Sequence, residues 1–205
     1  MYNDKNIAVV VPCYNEQSQI EAVVKGLPEY IDKIVIIDDK SNDETVHIIK
    51  KLKNGNDKII SIFHNKNQGV GAAIASGYKW SRDNNIDIAV VMAGDNQMDP
   101  KDLPAILDPL VQDNVDYSKG NRLFSGEAYK KIPKMRYLGN SVLSLFTKIA
   151  SGYWHIADSQ SGYTAINKKM LNVINWDNMF KRYGQPNDLL VSLNINNAVV
   201  RDVHI

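Results

Sequence analysis

The sequence predicts an α/β fold, a mostly parallel sheet flanked by helices. Two observations carry this expectation. Short, continuous apolar runs recur through the first half and alternate with segments of helical spacing. The runs also stop abruptly in clusters of Gly, Asn, Asp and Ser, as strands do at a ligand-binding edge. Residues 7–11 form the first apolar run, without polar alternation, as expected of a strand covered on both faces. Residues 18–27 follow with Ile20, Val23, Val24 and Leu27 at helical spacing, and Ser18 is placed to cap that helix. Strands are expected at 34–37, 58–63 and 88–92, and helices at 45–53, 70–80 and 102–111. Residues 116–120 are a candidate fifth strand. The second half is less regular. A basic stretch, 119–136, precedes an amphipathic helix at 137–150 whose Leu138, Val142, Leu145, Phe146 and Ile149 read as core, and the ending "VVRDVHI" reads as a strand.

The bulk numbers narrow the function classes. The chain has 205 residues, enough for one domain with a full core, and 44% hydrophobic against 23% charged residues is ordinary globular composition. A net charge of +1 and no basic stripe with interleaved aromatics argue against nucleic acid as a partner. One cysteine, Cys13, excludes an internal disulfide and a cysteine-based zinc site, and it reads as a small buried hydrophobe. Residues 1–12 lack a secretory signal, and no apolar run approaches the roughly 18 residues of a membrane span. The chain ends directly on its last apolar run, so it is expected to continue beyond residue 205 in nature.

If the sheet is parallel, several polar strand ends gather on one edge. They are "PCYNE" from Pro12, "DDKSND" from Asp38, and "VMAGDNQMDP" from Val91. The loop "NQGVG", from Asn67 to Gly71, reaches the same edge and opens a helix whose free N–H groups suit an anion. Such an edge suits a nucleoside diphosphate. Asp38 or Asp39 can accept from base N–H groups, and Tyr14 can pack on a base or ribose. Pro12, Glu16, Asn67, Gly69 and Gly71 complete the candidate nucleotide-binding set. The diphosphate would be repelled by these acids, and a divalent cation, Mn2+ or Mg2+, resolves the conflict with Asp95 as its natural ligand.

These stretches resemble the family-two glycosyltransferases, and among them the polyprenyl-phosphate sugar transferases of the dolichyl-phosphate mannose synthase kind. "VVVPCYNE", "IIDDKSND", "NQGVGAAIASG", "DSQSGY" at 158–163 and "YGQPNDLLVSLNI" at 183–195 carry the resemblance over nearly the whole chain. Lys40 stands where glycine is usual, and Ala93-Gly94-Asp95 stands where the family usually has Asp-x-Asp. The resemblance implies a GT-A fold with a nucleotide-sugar half, about 1–118, and an acceptor half, about 119–205. It places Asp95 and Gln97 at the metal and aligns Arg122 and Arg136 with phosphate binding. It implies a UDP- or GDP-linked sugar donor, a polyprenyl phosphate acceptor and inversion at the anomeric carbon. A hydroxyl acceptor would need a carboxylate base, for which Asp158 and Asp188 are candidates. The resemblance favours Asp188, as an acidic position before the acceptor helix. Peripheral contact with the cytoplasmic face of a membrane follows from the acceptor, and homo-oligomerisation stays open.

Plainer readings stand beside these. Asp99 before Pro100 reads as a helix cap, as does Asp43 before Thr45. Asp38 and Asp95 could serve their own turns, and the lysines of 119–136 could be a solvated loop. His47, His64, His155 and His204 lack ligand spacing and read as structural or exposed. Three other functions compete: a same-fold transferase acting on a saccharide or protein hydroxyl, a nucleotidyltransferase, and a non-catalytic nucleotide-binding domain. The second would normally carry a Gly-rich basic loop where "CYNEQSQ" stands, and Ala93 is the main support for the third.

Overall fold

The structure, a computed structural model, describes residues 1–121, 148, 149, 152–154, 156 and 161–205. Its elements in chain order are β1 (Ile7–Cys13), α1 (Ile20–Gly26), β2 (Lys33–Asp38), α2 (Thr45–Lys53), β3 (Ile59–Phe63), α3 (Val70–Asp83) and β4 (Ile88–Val91). A short 3-10 turn (Pro100–Asp102) leads into α4 (Leu103–Gln112), then β5 (Tyr117–Asn121), β6 (Thr164–Asn167), α5 (Lys168–Val173), α6 (Gln185–Ile195) and β7 (Val200–His204). One sheet of seven strands runs in the order β3-β2-β1-β4-β6-β5-β7. Strands β1 to β4 are mutually parallel, β6 is antiparallel to both neighbours, and β7 pairs parallel to β5. The α/β fold with a mostly parallel sheet is therefore present.

The apolar runs explain the layers. Every residue of β1 is buried. Ile7, Val9, Val11 and Cys13 join a core with Ile20, Val23, Ile49, Leu103 and Leu107, from α1, α2 and α4. Ala8 and Val10 join the opposite core with Ala73, Tyr78, Leu171 and Leu189, from α3, α5 and α6. Successive strand side chains point to opposite faces, so a strand with helices on both sides must be apolar throughout. Full burial of one Val or Ile side chain is worth about 1.5–3 kcal/mol, so this strand sits at the centre for energetic reasons rather than by β propensity alone.

Several expectations change. Ser18 does not cap α1: the helix starts at Ile20 with Gln19 as its N-cap and no side-chain cap bond. The Glu16 carbonyl accepts from Gln19 N and Ile20 N instead, so the main chain closes that turn. Lys119 is not part of a solvated loop. It lies in β5, is 1% exposed, and its ammonium donates to the Ser161 carbonyl at 2.6 Å. Ile149, expected in the core, is 60% exposed. The rest of the basic stretch and most of the expected helix at 137–150 lie outside the described residues. Asp188 falls within the first turn of α6 rather than before the helix. Strand β6 and helix α5 were not expected at all. The remaining boundaries agree to within a few residues, and β7 lies where "VVRDVHI" placed a strand.

Two substitutions test this packing. A Cβ on Gly77 would overlap Val10 Cγ1 and stand 3.0 Å from Ile37 Cδ1, so α3 touches the sheet through a glycine. Gly77→Ala should cost about 1–3 kcal/mol by overpacking, which outweighs the ~1 kcal/mol gained in helix propensity. A lowered urea midpoint at unchanged m-value would show it. Lys40 has φ +67°, the left-handed region that L side chains avoid. Lys40→Gly should therefore raise stability by about 0.5–1 kcal/mol, read as a higher urea midpoint.

Candidate active site

The chain runs from β1 outward to β2 and β3, then returns to place β4 on the other side of β1. Such a reversal leaves a crevice above the carboxyl ends of the two central strands. A cleft of about 570 Å³ lies there, walled by the ends of β1 and β4, the start of α3, and Arg182 and Tyr183. Of the candidates named from the sequence, Pro12, Tyr14, Glu16, Asp39, Asn67, Gly69 and Asp95 line it. Asp38, Gly71, Gln97 and Asp188 are not among its lining residues. Arg122, Arg136 and Asp158 lie outside the described residues.

Side chains hold the ends of β1 and β2 together. Asn15 N donates to Ser41 Oγ at 2.9 Å, and Asn42 N donates to Asn15 Oδ1 at 2.8 Å. Glu16 N donates to Thr45 Oγ1 at 2.8 Å. Asp43 Oδ1 accepts from the N–H and the hydroxyl of Thr45, so it braces the turn into α2, but the N-cap of that helix is Glu44, not Asp43 as expected from the sequence. Asp38 is 1% exposed, and its Oδ2 accepts from Ser41 N at 3.1 Å. Its Oδ1 has no hydrogen-bond partner. That places Asp38 in its own turn, beneath the cleft rather than on its wall. Cys13 is buried, and burial first, then the charge of Asp38, pushes its thiol well above the usual range. It is no nucleophile.

Asp39 is the node of the site. Its Oδ1 accepts from Gln68 N at 2.9 Å and faces His64 Nδ1 at 2.7 Å, and its Oδ2 accepts from Gly69 N at 2.6 Å. The other ring nitrogen of His64 lies 2.9 Å from Ser76 Oγ. A carboxylate only accepts, so Nδ1 donates to Asp39, and both ring nitrogens of His64 are engaged within the fold. His64 is therefore structural. Gly69 has φ +98°, so the turn that brings its N–H to Asp39 requires a residue without a side chain.

The end of β4 answers the same logic. Gly94 N donates to the Pro12 carbonyl at 3.1 Å, and a Cβ on Gly94 would stand 2.9 Å from Cys13 Cβ. This close approach presses the loop against β1 and sets Asp95 beside Glu16. Asp95 Oδ1 accepts from Gln97 N at 3.1 Å, so it does serve its own turn while lining the cleft. The Glu16 carboxyl is raised above the usual carboxylate range, first by burial, then by the charge of Asp95, then by that of Asp43. Asp99 Oδ1 accepts from Lys101 N at 2.9 Å, the expected cap.

The sequence did not single out Arg182, and Tyr183 entered only as the first residue of the "YGQPNDLLVSLNI" stretch. They belong to residues 180–184, a strap laid across the start of α3. Ala72 N donates to the Lys181 carbonyl at 3.1 Å, and a Cβ on Gly71 would overlap the Phe180 carbonyl oxygen. Gly71 is thus needed for packing under the strap, not for contact with the cleft. Asp188 Oδ2 accepts from Phe180 N at 2.8 Å. For Arg182 the available signal was the aromatic and basic run "FKRYG" ahead of a helix, which has no motif spacing of its own.

Residues 8–174 match the family described as glycosyl transferase family 2. Over 215 residues the chain is 34% identical to the UDP-N-acetylglucosamine--dolichyl-phosphate N-acetylglucosaminyltransferase of Methanococcus voltae, covering 98% of this chain and 85% of that protein. It is 25% identical over 169 residues to the polyprenol monophosphomannose synthase of Mycolicibacterium smegmatis, covering 81% of this chain and 63% of that one. Among solved structures, glucosyl-3-phosphoglycerate synthase from Mycobacterium tuberculosis, held with Mn2+, UDP and glucosyl-3-phosphoglycerate, superposes with a TM-score of 0.72 at 17% identity, over 98% of this chain and 71% of that one. A mannosyltransferase from Pyrobaculum calidifontis, with GDP-Man and Mn2+, superposes with a TM-score of 0.62 at 13% identity, over 98% of this chain and 56% of that one. Those two likenesses establish the GT-A architecture. With its parallel sheet, its switch-point cleft and a match spanning most of its length, the chain belongs to glycosyl transferase family 2 and is a glycosyltransferase.

Proposed function

We propose that this glycosyltransferase moves a sugar from a UDP- or GDP-linked donor to a polyprenyl phosphate. The observation that carries the reading is the switch-point cleft, with Asp39, Glu16, the 43%-exposed Tyr14 and Asp95 on its walls. It is supported by the 34% identity to a dolichyl-phosphate N-acetylglucosaminyltransferase along 98% of the chain. Carboxylates on one wall suit the N–H and hydroxyl groups of a nucleoside, and Tyr14 suits its flat face. Asp39 keeps acceptor capacity on Oδ2 after its bond to Gly69 N.

The residues fit a divalent cation held jointly with the donor. Among the described residues no group of three or more His, Cys, Asp or Glu side chains could hold a metal unaided. Asp95 and Glu16 nevertheless line one cleft closely enough that the charge of the first raises the carboxyl of the second. Hard cations of the Mg2+ type take only one or two protein carboxylates when substrate phosphates supply the rest. Asp95 would hold Mn2+ or Mg2+, with Gln97 beside it. When bound, the cation would stabilise the charge of the departing nucleoside diphosphate.

The acceptor chemistry follows from the placement of Asp188. Its carboxylate is held by Phe180 N and is not on the cleft wall, so it is poorly placed to take a proton from a hydroxyl. A phosphate monoester is already ionised near neutral pH and needs no strong base. Its oxygen forms the new bond to the anomeric carbon as the bond to the diphosphate oxygen breaks, with inversion. No helix among the described residues is long and apolar enough to cross a membrane. We assign the work to the cytoplasmic face of a membrane, reached through peripheral contact.

Asp95→Ala should reduce turnover by at least ~100-fold, the scale of losing one positioned electrostatic group. It should also abolish the Mn2+-dependence of UDP or GDP binding measured by calorimetry. Full turnover in Asp95→Ala would defeat the proposed role of that residue. The Glu16 carboxyl should titrate above the usual carboxylate range in metal-free protein. In Asp95→Asn it should move down while remaining raised, because burial is the larger cause. Carbon-13 NMR of the Glu16 carboxyl reads both values, and an unchanged midpoint would mean that the two carboxylates do not share the cleft. Ala93→Asp, which restores a second carboxylate to the loop, should tighten Mn2+ binding in the same calorimetric titration.

A further inference from the structure

We propose that Arg182 is a phosphate-binding residue of this site and that Asp188 is the positioning residue that sets it over the cleft. The inference rests on the reading that the cleft takes a nucleotide sugar and a phosphate acceptor. Three carboxylates, Glu16, Asp39 and Asp95, line the cleft, and among the described lining residues Arg182 is the one cation. A phosphate entering such a cleft meets net negative charge unless a cation answers it. Arg182 is also the described arginine without an ion-pair partner: Arg82 bonds Asp83 and Arg201 bonds Asp113, whereas the guanidinium of Arg182 has no hydrogen-bond or ion-pair partner among the described residues. An exposed arginine is ordinarily a solvated one. Two features set this one apart.

The first is where its stem lies. A Cβ on Gly69 would stand 2.8 Å from Arg182 Cγ and 2.5 Å from the Lys181 carbonyl oxygen, so the arginine is laid directly on the glycine turn at the head of α3. The second is how its backbone is held. Ala72 N donates to the Lys181 carbonyl at 3.1 Å on one side of Arg182, and Gln185 N donates to the Arg182 carbonyl at 3.0 Å on the other. Asp188 Oδ2 closes the strap by accepting from Phe180 N at 2.8 Å. A planar guanidinium presented from a fixed backbone suits a two-point grip on phosphate, which a lysine ammonium cannot reproduce. The phosphate can belong to the donor diphosphate or to the acceptor.

The test uses the full chain with Mn2+. Calorimetry compares UDP and GDP with uridine and guanosine, and turnover is measured against polyprenyl phosphate concentration. Arg182→Ala should weaken the preferred nucleoside diphosphate by about tenfold or more while leaving its nucleoside unchanged, the scale of one charge-assisted bond. If the phosphate is the acceptor's, the same loss appears instead as a raised KM for polyprenyl phosphate. Arg182→Lys should recover only part of either loss. Asp188→Asn retains an acceptor for Phe180 N and should keep kcat and the affected affinity near wild type, whereas Asp188→Ala should copy the weakened binding of Arg182→Ala. Collapse of kcat in Asp188→Asn would restore Asp188 as a general base and overturn its positioning role. Wild-type binding of a diphosphate with Arg182→Ala unchanged in both arms would overturn the arginine's role and leave the proposed function intact. A wild-type chain that binds neither UDP nor GDP would overturn the proposed function, and the inference with it.

Discussion

The Asp39 carboxylate is the constraint on which the site depends. It stands just past the end of β2 and accepts from Gln68 N, Gly69 N and His64 Nδ1, so it ties the loop after β3 to the centre of the sheet. Each hydrogen bond to a charged group is worth roughly 1.5–3 kcal/mol, and burying an unpaired carboxylate would cost several kcal/mol. The paired arrangement therefore strongly favours this conformation of the loop. That conformation requires φ +98° at Gly69, and it points the start of α3 at the cleft. The strap of residues 180–184 then packs on this turn, so the position of Arg182 is inherited from Asp39 through Gly69. His64 closes the arrangement from below and explains why a residue with no ligand spacing is buried next to a functional wall.

The electrostatics are otherwise one-sided. The described wall carries three carboxylates and one guanidinium, an unfavourable lining for any phosphate taken alone. This imbalance fits a cleft meant to be completed by a cation and a nucleoside together. Ala93 removes one carboxylate from that balance, and Gly94 preserves the close approach of the loop to β1 regardless.

How far the sequence could be read depended on the range of the forces involved. Strands β1 to β4 and helices α2 to α4 were legible because each is specified by its own apolar pattern and ended by its own turn residues. Strand β6 was not, because four residues, "TAIN", show no period of their own and become a strand only by pairing between β4 and β5. Lys119 had two readings for a related reason, one in the candidate strand 116–120 and one in the basic stretch 119–136. A lysine in a basic stretch looks solvated until tertiary structure sets the Ser161 carbonyl 2.6 Å from its ammonium. Asp38 and Asp39 are adjacent and chemically identical in the sequence, and both are buried, yet one is held in its own turn and the other is on the cleft wall.

By itself the sequence determined the α/β class, the edge at which the polar strand ends meet, and half of the residues that wall the cleft. These follow from local periodicity and from where an apolar run stops, both of which are written along the chain. Tertiary structure alone decided which of the two aspartates faces the cleft, and that Gly71 serves packing rather than contact. It also decided that Asp188 holds the strap, and that Arg182 belongs to the site at all. Each of those depends on a contact between segments far apart in sequence, whose partner is defined only once the sheet has set the distance between them.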